Sequence, residues 1–290
     1  MAFKHKKLIP NLGAYVVVLV LLVYFLSPFY WLLISSLQPE GELITIPPNW
    51  IPKSVTLNNF LSFLDKDLRR GLSAPTAASD LLASIGVSFL VAIFVTTLNL
   101  VIGVPAAYAF ARFKLKALSF FFTFLLILRM VPAVAIVIPF YLIMTNILEL
   151  SALLSVTLSH LIFSLPFTIW VLRSYFLTSP QALEEAARID GCSRMKAVAL
   201  ITLPLCAPGL VAAAIFAFMF SWSEFLFALV LTSTSHVKTA PVVVSIIGSD
   251  IMLRYGVINA SALTVAIAPL FVSIAFASYL RKGLTAGALK

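Results

Sequence analysis

Charge is scarce in this chain. Only 11% of its 290 residues are Asp, Glu, Lys or Arg, while 61% are hydrophobic and the mean hydropathy is +1.07. A water-soluble domain carries about a quarter charged residues, so this chain lacks the polar surface to cover itself in water and must be solvated by lipid. Cysteine is nearly absent. Cys192 and Cys206 have no companions at metal-ligand spacing, and in a reducing compartment they read as small packing residues. No G-x-x-x-x-G-K-[ST] phosphate loop and no H-E-x-x-H pair occurs. If ATP drives this protein, another polypeptide hydrolyses it. No catalytic constellation and no metal site is assigned.

Long apolar runs are what the sequence has instead. Six stretches reach the ~20 apolar residues that a membrane-crossing helix needs: 12–34, 81–111, 118–145, 152–172, 205–231 and 257–280. The first follows Lys4, Lys6 and Lys7, as a secretory signal would. Its apolar run exceeds the ~7–15 residues of such a signal and no small-x-small cleavage site follows, so a retained helix is expected. The expected fold class is therefore an all-α membrane protein with six transmembrane helices. Residues 1–11 form an N-terminal segment and 12–290 one transmembrane domain, with an outer loop at 38–79, an inner loop at 173–204 and a second outer loop at 232–256. Prolines punctuate the first outer loop, which is expected to form short surface helices outside lipid.

Lys and Arg orient the spans. Lys4, Lys6, Lys7, Arg112, Lys114, Lys116, Arg173, Arg188, Arg194, Lys196, Arg281, Lys282 and Lys290 fall on one side. Lys53, Lys66, Arg69, Arg70, Lys238 and Arg254 fall on the other. The positive-inside rule then puts both termini in the cytoplasm. The net charge of +9 is mostly this topology signal, not a nucleic-acid-binding patch.

The inner loop holds the most specific pattern. Ser179 suits an N-cap, Pro180 a first helical position, and Gly191 the left-handed residue that ends a helix. Glu184 and Arg188 stand at the spacing of a helical ion pair. Leu183, Ala186, Ala187 and Asp190 share one face, and its alanines permit close approach of another surface. A second short helix restarts after Ser193. On the residues alone, the loop is equally a packing element of its own bundle or a docking surface.

Glu185-Ala186-Ala187, then Gly191, then Ile201-Thr202-Leu203-Pro204 resembles the E-A-A loop of ABC importer permeases. The chain around it is similar to the second permease subunit of carbohydrate importers of the maltose type. Supporting pieces are the stretch from Gly103 to Arg112, Leu203 to Gly209, Trp222-Ser223-Glu224-Phe225 and the ending from Gly283 to Ala288. Ser223 stands where that family more often shows Asn. The resemblance implies a type I importer permease fold in the bacterial cytoplasmic membrane. It implies that Glu185, Ala186, Ala187, Asp190 and Gly191 couple to an ATPase. It further implies a homologous second permease, two ATPase subunits that bind ATP and Mg, and an extracytoplasmic solute-binding protein. No cofactor is expected in this chain itself.

Polar residues inside the runs are the remaining candidates. A charge at the bilayer centre costs about 2.5–3.5 kcal/mol on insertion scales, so it normally faces protein or a water-filled path. Arg129, followed by Pro132 and Pro139, either borders a translocation pathway or is a structural Arg. Glu224 is either a solute acceptor or half of an interhelical pair. Trp222 either offers a sugar a stacking face or packs. His160 and Asn99 read as interhelical hydrogen-bond partners. The competing class is an ion-coupled secondary transporter, for which Glu224 and His160 are a thin set and which leaves the inner loop unexplained. A membrane-embedded enzyme would need a catalytic constellation that is not visible.

Overall fold

The computed structural model describes residues 12–65, 67–69, 75–113, 116–249 and 254–288. Lys4, Lys6, Lys7, Lys66, Arg70, Lys114 and Lys290 lie outside the described residues, and for 277–288 only the backbone is described. Among the described residues every regular element is helical: α1 (Leu12–Ser36), α2 (Glu40–Leu43), α3 (Asn58–Leu61), α4 (Pro75–Arg112), α5 (Lys116–Leu128), α6 (Ala133–Leu142), α7 (Ala152–Thr178), α8 (Gln181–Ile189), α9 (Arg194–Ala197), α10 (Leu203–Leu205), α11 (Ala207–Ser223), α12 (Leu226–Leu231), α13 (Ala240–Gly248) and α14 (Tyr255–Ala288). Wider π-type turns follow α6 at Ile143–Ile147 and α9 at Val198–Thr202.

Among the described residues four helices, in α1, α4, α7 and α14, are long and apolar enough to cross a membrane, and the number reaches six where each of two bent pairs is counted as one span. The expected continuous span at 118–145 is a pair bent by 97° between Lys116–Leu128 and Ala133–Ile147. Pro132 explains the bend. It cannot continue the hydrogen-bond ladder, and it drives the residue before it out of the helical region. The expected span at 205–231 is also interrupted. Arg194–Leu205 meets Ala207–Ser223 at 78°, and the chain breaks again at Glu224 and Phe225 before α12. The expected outer loop at 232–256 contains α13, whose Ala240, Val242 and Val243 are buried. Its apolar run packs as a helix because those side chains gain more from burial than from a solvated connector.

Two compact units form, Met1–Ser79 with Ile246–Thr264, and Asp80–Ser245 with Val265–Lys290. In the first, the outer loop does fold into short helices, tied by side-chain hydrogen bonds. Asn59 Nδ2 donates to the carbonyls of Ser36 and Gln38, both at 2.9 Å, satisfying the open end of α1. The Glu40 carboxylate accepts from the amides of Tyr255 (2.9 Å) and Gly256 (3.1 Å), which start α14. An anion suits that end of a helix.

In the second unit α11 lies against α7. Gly209 permits the approach: a Cβ there would stand 2.3 Å from Tyr175 Cγ. Ala107, Ile169, Leu172, Phe176, Cys206 and Ala213 form a buried cluster around that contact. Asn99, fully buried on α4, donates to Ser164 Oγ on α7 at 2.7 Å, the kind of interhelical hydrogen bond expected of it. Cys192 and Cys206 are both free thiols, and Cys206 packs in the core.

Candidate functional site

The inner loop folds as a short amphipathic helix, a glycine turn and a second short helix. Gly191 has φ +91°, the left-handed conformation that ends α8, and its amide bonds back to the Arg188 carbonyl. Ser193 Oγ then accepts from the Lys196 amide and caps α9. At the start of α8 the cap is Pro180, not Ser179, whose hydroxyl is buried with no side-chain cap bond.

The faces of α8 divide differently from the expected four-residue face. Glu184 and Ala187 point inward and are buried, whereas Leu183, Glu185, Ala186, Ile189 and Asp190 are exposed. Ala187 therefore belongs to the inner face. Around the helix wheel the outward face centres on Ala182, Ala186 and Ile189, with Leu183 and Asp190 on one flank and Glu185 on the other. Ile189 is 86% exposed and Met195, just beyond the turn, 76%, so the loop presents apolar side chains outside any long apolar helix.

Glu184 does not pair with Arg188. It reaches inward to the end of α4, where Arg112 Nη2 (2.6 Å) and Nε (3.0 Å) both donate to its Oε1 and Tyr108 OH donates to Oε2 at 2.9 Å. Arg112 Nη2 also donates to the Ser179 carbonyl at 3.1 Å. A forked charge-assisted contact is stronger than the exposed i, i+4 pair it replaces, which is why the carboxylate turns inward. Burial alone raises the Glu184 carboxyl, but the hydrogen bonds from Arg112 and Tyr108 outweigh it and hold the group below the usual carboxylate range. Two further cations fix the same stretch. Arg173 Nε donates to the Phe110 carbonyl at 3.2 Å, and the Arg194 guanidinium lies 4.9 Å from the Phe113 ring centre. The loop is thus clamped to the last turn of α4. Sequence spacing along α8 could not reveal this, because Arg112 and Glu184 are 72 residues apart.

The polar residues of the spans sit at breaks. Arg129 lies in the turn between α5 and α6, with its guanidinium 4.8 Å from the Phe167 ring centre and 5.6 Å from that of Phe216. Among the described residues it forms no ion pair. Aromatic faces hold the cation in place of a carboxylate. Glu224 lies at the end of α11, and its carboxylate accepts from the amides of Phe227 (2.8 Å) and Ala228 (3.0 Å), capping α12. It also stands 3.0 Å from His160 Nε2 on α7, while His160 Nδ1 lies 2.9 Å from Ser221 Oγ. Trp222 is 3% exposed, stacks on Phe218 with centroids 5.8 Å apart and packs in a buried cluster with Phe218 and Ala92. Among the described residues no group of His, Cys, Asp and Glu is placed to hold a metal ion.

Residues 99–284 match the family described as the inner membrane component of binding-protein-dependent transport systems. A sulfoquinovosyl glycerol transport permease of Agrobacterium fabrum is 36% identical over 273 residues, 93% of this chain and 91% of that one. A trehalose transport permease of Mycobacterium tuberculosis is 33% identical over 274 residues, 92% and 93% of the two chains. A chain of a bacterial ABC transporter involved in import of the acidic polysaccharide alginate superposes with a TM-score of 0.68, covering 97% of this chain and 99% of that chain at 16% identity. That likeness concerns the fold.

Proposed function

The chain belongs to the inner membrane component family of binding-protein-dependent transport systems, and from that premise we propose that the solute it moves inward is a sugar, an oligosaccharide or a related polyol. It is a multi-pass inner-membrane permease subunit of an ABC importer. The solute class is supported by relatives named for sulfoquinovosyl glycerol, diacetylchitobiose and trehalose. ATP and Mg are bound by a separate ATPase, two copies of which sit beneath this chain and a homologous second permease. An extracytoplasmic binding protein delivers the solute.

The observation that carries this reading is the clamped loop. The outward face of α8, with Ala186 and Ile189 at its centre and Glu185 and Asp190 at its edges, docks on the ATPase. Glu184 and Arg112 carry movement of that face into α4 as a rigid body. Arg129 and Glu224 sit where helices break, and breaks inside a membrane are tolerated where backbone is buried in protein or lines a cavity. We assign them to the neighbourhood of the translocation path. Trp222, being packed, supports the path wall from behind and does not stack on solute.

The pairing of His160 with Glu224 favours one other reading, an ion-coupled carrier. Both groups are already engaged, Glu224 in capping α12 and His160 with Ser221, so the pair serves to hold the break. Uptake of a labelled sugar panel into proteoliposomes holding the whole complex tests the choice. ATP-dependent uptake blocked by vanadate and indifferent to ionophores is expected. Uptake collapsed by an ionophore with ATP present would establish the carrier instead.

A further inference from the structure

We propose that the cavity where the end of α4 meets α5 and α7 binds the headgroup of an anionic phospholipid, and that this lipid braces the loop clamp. The cavity has a volume of 390 Å³ and is lined by Phe110 and Phe113 of the α4 end, Lys116 and Phe122 of α5, and Arg173 and Leu177 of α7. Among the described residues its lining holds two cations and no carboxylate. Neither cation forms an ion pair among the described residues.

The two cations are presented differently. Arg173 spends its Nε hydrogen on the Phe110 carbonyl and lies 4.5 Å from the Phe122 ring centre, which fixes its plane and leaves its Nη hydrogens available. Lys116 is the exposed first residue of α5. A fixed guanidinium and an exposed ammonium in a lining shared with Phe and Leu match a phosphodiester with the first carbons of its acyl chains. A free phosphate would gain nothing from the apolar lining.

Depth agrees with that choice. The 27 residues of α7 span roughly 40 Å, against a hydrocarbon core of about 30 Å. Arg173, five residues from the helix end, lies about 7.5 Å inside it, at the headgroup–acyl boundary. Basic pockets between helices at the cytoplasmic face are where anionic headgroups bind. The excess of Lys and Arg on this side puts this end of α7 at the cytoplasmic face.

The wall of the cavity gives the lipid a role. Phe110 and Phe113 flank Arg112, which holds Glu184, and the Phe113 ring carries Arg194 of α9. A headgroup bound to Lys116 and Arg173 would neutralise two cations that otherwise repel Arg112 and Arg194, tightening the stretch that clamps the loop.

The test is native mass spectrometry of the detergent-purified complex titrated with phosphatidylglycerol or phosphatidylcholine, with and without inorganic phosphate. It needs neither solute nor ATP, so its result is independent of the importer reading. One basic residue near the headgroup plane contributes enough that Lys116→Gln should weaken phosphatidylglycerol binding about fivefold. Leu118→Trp, which fills the cavity, should abolish it, with phosphatidylcholine bound weakly and alike in all three proteins. Lys116→Gln changes an exposed side chain, so a monodisperse complex is expected even where Leu118→Trp fails to assemble. Unchanged phosphatidylglycerol affinity in Lys116→Gln, or equal retention of phosphatidylcholine, would overturn the proposal. Complete displacement of phosphatidylglycerol by inorganic phosphate would do so too, making the cavity a site for the free anion.

Discussion

Replacing Arg112 with Ala should release the inner loop from the bundle without unfolding it. The Arg112 and Glu184 side chains are each only 8% exposed. Removing one partner of a buried pair typically costs about 3–5 kcal/mol, because the other charge is left without compensation. Tyr108 still donates to Glu184 in the variant, so the lower end, about 3 kcal/mol, is expected here. That is a factor of about 150 in the ratio of docked to released loop. Hydrogen exchange in the amides of 181–189 should accelerate by a comparable factor, and trypsin should gain access after Arg188. Solute uptake should fall while the partner's basal ATP hydrolysis persists. Replacing both partners with apolar groups, Arg112→Met with Glu184→Leu, removes the stranded charge and should restore much of the protection. If Arg112→Ala leaves exchange and uptake within twofold of wild type, the clamp does not hold the loop. If the double variant is as loose as the single one, the effect is not that of a stranded charge.

Three further outcomes are expected. Gly209→Ala should lower the melting temperature of the purified complex, since its methyl would enter the Tyr175 ring and force α11 away from α7; an unchanged midpoint would contradict the close approach. Because hydrogen bonding lowers the Glu184 carboxyl in the folded state, the clamp's contribution is complete above the ordinary Glu value of about 4.3 and is lost as pH falls through the lower folded value. Exchange protection at 181–189, corrected for intrinsic rates, should therefore be flat from about pH 8 to about pH 5, and Glu184→Gln should remove the acid loss. In a chain with Cys192 and Cys206 replaced, a single Cys at Lys53 or Lys238 should react with an impermeant thiol reagent from outside and one at Lys196 should not. Reversed labelling would invert the orientation.

Most of the architecture was legible because lipid simplifies the code. Apolar runs long enough to cross a bilayer have no other solvent, so the helices at α1, α4, α7 and α14 could be read from composition. What composition could not convey was continuity. Pro132 and the Glu224–Phe225 break divide runs that are apolar enough overall to read as single spans, and the divisions depend on backbone ladders and on the capping of α12 by Glu224. The 232–256 segment misleads for the opposite reason: its polar flanks mask the apolar helix α13. In the inner loop, Gly191 and Ser193 were readable because turn and cap chemistry is local. Glu184 was not, because its helical spacing to Arg188 suggests a local pair, while the stronger partner waits on α4. Spacing likewise groups Ala187 with Leu183, Ala186 and Asp190, although Ala187 is buried and the other three are exposed. Spacing defines which residues share a face, but only the direction of Glu184 shows which face turns inward.

The outward face of α8 is the surface proposed to couple this chain to its ATPase. Ala186 lies at the centre of that face and is exposed, so Ala186→Trp leaves the inner contacts of Glu184 and Ala187 untouched. A few central contacts dominate most interfaces, each worth about 2 kcal/mol or more. The measurement is solute-stimulated ATP hydrolysis by the whole complex in proteoliposomes, read together with co-purification of the ATPase. Ala186→Trp is expected to insert and pair with the second permease but to lose the ATPase, or to retain it with hydrolysis no longer responding to solute. Wild-type stimulation and uptake in that variant would contradict the account.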